Sequence, residues 1–207
     1  MGFSKKFFNQ TRKPEGFLGR KMIKRMNAGH DLMAKWGMSR AEGYSPEKML
    51  EIGCGGGKHA AELMEKYPSA RMTAIDYSEL SVKTAAKRNR AMIKKGRCAV
   101  LRGDVSKLDF ADGEFDFASA FETIYFWPGL ERCFAEVARV LKSGGTFMIV
   151  NESDGTDEKS LSFEKIIDGM KNYTVGEIEA ALRAAGFAEV KSFHHESEPW
   201  IAVFAKK

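Results

Sequence analysis

Four glycines occupy the five positions 53–57, between the apolar run MLEI and a helical run that begins at Lys58. A turn so bare of side chains lets a ligand reach the backbone itself. Dinucleotides use such turns, but the pattern G-x-G-x-x-G counted from Gly53 needs glycine where Lys58 stands, and counted from Gly55 needs it where Ala60 stands. The phosphate loop G-x-x-x-x-G-K-[ST] fails too, because Lys58 is followed by His59. What stands is E-x-G-x-G-x-G: Glu51, Gly53, Gly55 and Gly57. Polar residues follow other apolar runs: Asp76 after RMTAI, Asp104 after CAVL, and Asn151-Glu152 after TFMIV. Asp76 can accept hydrogen bonds from two neighbouring hydroxyls. Glu122 is the only charged residue between Asp116 and Glu131, in a run dense in aromatic side chains. A carboxylate in so apolar a setting has a raised pKa and can orient a cation or withdraw a proton. His30, one turn beyond Asn27, has the intrinsic pKa of a base near neutral pH.

These residues need a frame. Runs at 48–52, 71–75, 98–101, 115–120 and 146–150 read as strands, alternating with helical patterns at 58–67, 78–95 and around Leu130, Phe134, Val137 and Leu141, the last stopped by Ser143-Gly144-Gly145. Thr174 and Glu177 form a capping box for a helix over 175–185. The runs 190–195 and 200–205 pair as a final hairpin. Strands alternating with helices imply a mostly parallel sheet covered on both faces, with the ligand beyond the carboxyl ends of the strands. Residues 17–36 read as one amphipathic helix, with Met22, Met26, Met33 and Trp36 on a stripe. His59 is expected on an exposed first turn.

The glycine loop, TAID ending at Asp76, RGDVSKLDF carrying Asp104, FDFASAFETIYFWP, and RVLKSGGTFMIV with Ser143 in place of a usual proline follow one another from Met49 to Val150. Together they resemble the motifs of the class I S-adenosylmethionine-dependent methyltransferases, most closely the small enzymes of the ubiquinone/menaquinone-biosynthesis type. The resemblance implies a Rossmann-like seven-stranded sheet, mostly parallel with an antiparallel last strand, helices on both faces and an N-terminal helical lid. It divides the chain into a basic helical extension, 1–40, and a methyltransferase domain, 41–207. It implies S-adenosylmethionine as cofactor, with S-adenosylhomocysteine as product. Cofactor contacts are expected from Glu51, Gly53, Cys54, Gly55, Gly57, Asp76, Tyr77, Gly103, Asp104, Val105 and Phe121, with Asp104 toward the adenine amino group. Glu122 and His30 are the expected catalytic residues; Asn27, Tyr125, Trp127 and Glu152 are expected on the acceptor. In-line transfer from a sulfonium needs alignment, exclusion of water and, for a weak acceptor, a base, so no metal site is expected.

The net charge of +5 is concentrated at one end. Residues 1–30 hold eight Lys and Arg against Glu15 alone, so the remainder carries a slight acidic excess. Such a segment can meet an anionic surface, or remain a solvated helix face. Three scattered cysteines fit neither a disulfide framework nor zinc spacing. With no apolar run near ~20 residues and no leader-like N-terminus, the expectation is a cytoplasmic protein acting as monomer or homodimer on a small-molecule acceptor. Nucleic acid is not the expected partner: FETI stands where amino-group nucleic-acid methylators carry an N-P-P-Y-type segment. The alternatives are an RNA methyltransferase recruited by the basic end, and a cofactor-binding sensor without turnover.

Overall fold

A computed structural model describes residues 3–207. Seven strands form one sheet: β1 (Lys48–Ile52), β2 (Arg71–Asp76), β3 (Cys98–Arg102), β4 (Phe115–Phe121), β5 (Leu141–Asn151), β6 (Glu189–His194) and β7 (Ile201–Lys206). Their order is β3-β2-β1-β4-β5-β7-β6. The first five strands pair in parallel; β7 runs antiparallel to both β5 and β6. The chain therefore reverses direction across the sheet between β1 and β4, and the crevice at that switch point is where a ligand is received.

Alternation along the strands divides the core in two. Leu50, Ile52, Ala118, Ala120, Phe147 and Ile149 face helices α7 (Leu130–Val140) and α9 (Val175–Ala184). Met49, Met72, Phe117, Met148 and Val150 face α3 (Asp31–Ser39) and α4 (Lys58–Lys66). A sheet buried on both faces needs apolar residues at consecutive positions, which explains the continuous runs in the sequence. The capping box forms as expected: the Thr174 hydroxyl accepts from the Glu177 N–H, and the Glu177 carboxylate accepts from the Thr174 N–H.

Three elements depart from the sequence reading. The helix expected over 17–36 breaks at His30 (φ −86°, ψ 6°) into α2 (Gly16–Gly29) and α3. The helix expected to end at 95 divides at Asn89 into α5 (Glu79–Arg88) and α6 (Arg90–Lys94). There the buried Asn89 amide donates to the carbonyls of Gly57 and Ala85, so the side chain serves the glycine loop. Helix α7 ends at Val140, and Ser143-Gly144-Gly145 continue as extended chain, because Gly144 and Gly145 pair with the C-terminal Lys207.

The N-terminal helices are packed parts of this body. Met33 and Ala34 of α3 are fully buried, and Gly37 lies against β5: a Cβ there would come within 2.4 Å of Val150. Ahead of them α1 (Phe3–Phe8) is tied to the segment after α8 (Glu158–Glu164) by the Lys5–Asp168 ion pair at 2.7 Å and by reciprocal hydrogen bonds between Asn9 and Asp168. Gly37→Ala is expected to lower stability by roughly 1–3 kcal/mol through overpacking, read as a fall in the urea midpoint at unchanged slope.

Candidate active site

The loop between β1 and α4 is held from below by the neighbouring strand. The N–H groups of Gly53 and Cys54 both donate to the Ile75 carbonyl, at 2.8 and 2.9 Å. The next N–H, of Gly55, donates to Asp76 Oδ2 at 2.9 Å, while Asp76 Oδ1 accepts from the Ser78 N–H at 2.8 Å. Gly55 (φ +50°) and Gly57 (φ +69°) need left-handed backbone, but their surroundings differ. A Cβ at Gly55 would meet open space, whereas at Gly57 it would strike Asn89 and Ala85 of the α5–α6 corner. Gly55 thus keeps a ligand space clear, and Gly57 lets two helices approach.

Above the loop lies a cavity of about 230 Å³. Thirteen of the seventeen expected site residues line it: Asn27, His30, Gly53, Cys54, Gly55, Asp76, Tyr77, Gly103, Asp104, Val105, Phe121, Glu122 and Trp127. Four stand apart from the lining. Glu51 is buried beneath the loop, its Oε2 taking no hydrogen bond from the described residues, and burial pushes its carboxyl well up. Gly57 is spent on helix packing. Tyr125 is buried behind Glu122 and donates its hydroxyl to Glu122 Oε1 at 2.9 Å. Glu152 follows β5 beside Glu122. The sequence reading missed Gly56, Thr123 and His59, which also line the cavity. His59 is not on an exposed turn. It is only 9 % exposed, its Nδ1 is 3.0 Å from Glu62 Oε2, and its ring packs on Phe121 at 4.6 Å between centroids.

The lining residues are laid out in the order of the strands. Asp104 follows β3, Asp76 ends β2, the glycine loop follows β1, and Glu122 follows β4. Asp104 Oδ1 accepts from both the N–H and the hydroxyl of Ser106 at 2.8 Å, which orients the carboxylate and leaves Oδ2 for another donor. Burial raises the Asp76 carboxyl, against the backbone hydrogen bonds that stabilise its charge. Over the loop, Met26 and Asn27 of α2 and His30 at the break after it close the cavity. Lys58, the residue that broke the dinucleotide pattern, clamps this cover: its ammonium donates to the Asn27 carbonyl at 3.0 Å and to the Asp31 carboxylate. That ion pair, with Lys35 beside it, pulls the Asp31 carboxyl down to about 2.

At the β4 end, Glu122 has φ +55°, the only non-glycine residue in the left-handed region among the described residues. Such backbone persists where surrounding contacts hold it. Here the Glu122 N–H donates to the Val150 carbonyl, and Oε1 accepts from the Tyr125 hydroxyl and the Glu152 N–H. Oε2 faces His30 Nε2 at 3.9 Å. Burial raises the Glu122 carboxyl to about 7 and raises Glu152, while burial lowers His30. One ligand atom from each of His30, Glu122 and Glu152 falls within 4.8 Å of the others.

Comparison with known proteins agrees with this geometry. Residues 50–149 match the family described as methyltransferase domain. Over 166 residues the chain is 31 % identical to the malonyl-[acyl-carrier protein] O-methyltransferase of Geobacter sulfurreducens, covering 75 % of this chain and 61 % of that protein. Over 158 residues it is 28 % identical to a sterol 24-C-methyltransferase of Gibberella zeae, covering 72 % of this chain and 40 % of that one. The chain thus spans less than two thirds of the length of these relatives. A solved SAM-dependent methyltransferase of Thermotoga maritima superposes with a TM-score of 0.73 over 98 % of this chain and 99 % of its own, at 22 % identity. Residues 50–149 thus match the methyltransferase-domain family, and the fold of the chain is that of solved SAM-dependent methyltransferases.

The residues present fit that cofactor. Open space over Gly55, a buried carboxylate at Asp76 and a free Asp104 oxygen offer, in sequence along the crevice, room for a side-chain-free approach and acceptors for hydroxyl and amino hydrogens. Asp76→Ala removes a charged acceptor and unties the Gly55 N–H. It is expected to weaken binding of S-adenosylhomocysteine by roughly 1–3 kcal/mol, measured by calorimetry on the folded variant. A second expectation concerns Glu122, whose carboxyl is raised to about 7 in the fold from an ordinary 4.5. The native state then holds the proton more tightly, so this contribution to stability is complete below pH 4.5 and is lost as pH rises through 7. Between pH 5 and pH 8, Glu122→Gln should gain on the wild type by about 1–3 kcal/mol in denaturant unfolding.

Proposed function

We propose that the protein transfers the methyl group of S-adenosylmethionine to a small-molecule acceptor held at the Glu122 end of the cavity. One observation carries the reading: His30, from the cover, and Glu122, from the β4 end, meet at 3.9 Å on the wall of the cavity that the glycine loop opens. The cofactor, when bound, supplies a methyl group on an already activated sulfonium. The chain's own residues then have three tasks. Asp76, Asp104 and the loop bind and orient. Helix α2, locked by Lys58, excludes water over the reacting end. Glu122, held at Oε1 by two donors, presents Oε2 to the acceptor, and His30 takes the acceptor's proton.

The removable lid is proposed as residues 1–29, since α3 is part of the packed core. Arg20, Lys21, Lys24 and Arg25 lie on the exposed face of α2, opposite the buried Met22 and Ile23, and none of the four lines the cavity. A contact with an anionic surface through them would position the protein and leave the acceptor site unblocked. Acyl-carrier thioesters and sterols, named for two relatives, are too unlike each other to transfer to this site.

The reading is tested by turnover, scored as S-adenosylhomocysteine release. Glu122→Gln and His30→Ala should each keep cofactor affinity within a few-fold and lower turnover by roughly 10²–10⁴-fold. Two fully active variants would mean that the acceptor uses neither residue.

A further inference from the structure

The cluster at the β4 end lacks a positive charge. Glu122 and Glu152 follow adjacent strands, their carboxylates stand beside His30, and His30 is the only basic side chain in ion-pair contact with Glu122 among the described residues. Glu152 makes no ion pair among them; Lys159 influences it from a distance. Burial disfavours the charged form of the imidazole. Burial pushes both carboxyls up, and a cation placed between them would favour their charged forms.

From this, and resting on the methyltransferase reading, we infer that the acceptor is an amine, bound as its ammonium ion between Glu122, Glu152 and His30. The 3.9 Å between His30 Nε2 and Glu122 Oε2 is too long for a direct hydrogen bond, and an ammonium nitrogen donating to both can bridge it. The aromatic wall of Phe121, Phe126 and Trp127 suits an apolar body on that nitrogen.

The step balances. The ammonium gives one proton to His30 and becomes a neutral amine. Its lone pair forms the nitrogen–carbon bond as the carbon–sulfur pair goes to sulfur. The product is a methylated ammonium ion with neutral S-adenosylhomocysteine, and His30 returns its proton to solvent.

The test uses the full chain saturated with S-adenosylhomocysteine, titrated with butylamine and phenethylamine and with butanol and phenethyl alcohol. The amines should bind at least about tenfold more tightly than the alcohols. Glu122→Gln and Glu152→Gln should erase that preference. With S-adenosylmethionine, amines should be methylated and the alcohols should not. Each of these results overturns the inference: equal binding of amines and alcohols; no amine bound or methylated by protein that binds the cofactor normally; tight binding of Mn²⁺ or Zn²⁺ alone, lost in the same variants; or a Glu122→Gln defect confined to S-adenosylmethionine and absent for S-adenosylhomocysteine. The last assigns the carboxylate to the sulfonium. Methylation of a hydroxyl or thiol without any amine would sink the amine assignment while leaving the methyltransferase reading intact. Failure to bind either sulfur cofactor would sink both.

Discussion

Everything at the site depends on two backbone hydrogen bonds, from the Gly53 and Cys54 N–H groups to the Ile75 carbonyl. They hold the chain leaving β1 against the end of β2, so the loop crosses the strand ends at a set height. Asp76 is thereby brought under Gly55, and one of its oxygens closes the loop from the side. The loop then has no internal freedom left except at positions where a side chain would be obstructive. This is why glycine appears for two unlike reasons within three residues: Gly55 leaves room for a ligand, and Gly57 leaves room for Asn89 and Ala85. Asn89 interrupts its own helix to reach the Gly57 carbonyl, a local loss of regular helix that ties α5 to the loop.

The second constraint is electrostatic. The interior near the strand ends holds Glu51, Asp76, Glu122 and Glu152, and burial raises all four carboxyls. Each group is treated differently. Asp76 is compensated by two backbone N–H donors. Glu122 is compensated at one oxygen and left open at the other. Glu51 has an oxygen that takes no hydrogen bond from the described residues. A buried polar atom without a partner costs free energy, so a protein retains such groups where a ligand or solvent completes them. The positive φ of Glu122 fits the same pattern, since strained backbone gathers at sites where a side chain must point in one direction.

The cover contributes the third element. Helices α2 and α3 are broken at His30, and the break turns that imidazole toward Glu122. Lys58 holds the corner in place through the Asn27 carbonyl and Asp31. The first residue of the helix that follows the glycine loop therefore also positions the roof. Loop, floor and roof share a small set of interactions, so the cavity is built as a unit.

Much of this was legible in the residues. Apolar runs, helical spacing and the Thr174–Glu177 box gave the sheet and the cap because they report local geometry and burial. The glycines, Asp76, Asp104 and Glu122 were legible because each lies at or just beyond the carboxyl end of a strand, and in a parallel sheet those positions converge. Four things were not. The sequence alone showed neither the helix breaks at His30 and Asn89 nor the burial of His59, because each is decided by a side chain meeting a partner distant in the chain: Glu122, Gly57 and Phe121. Nor did it show that α3 belongs to the core, which depends on Gly37 meeting Val150. Residue types determined which chemistry was available. Only the tertiary structure decided which groups stand within reach of one another, because a contact across the sheet depends on packing that no spacing along the chain records.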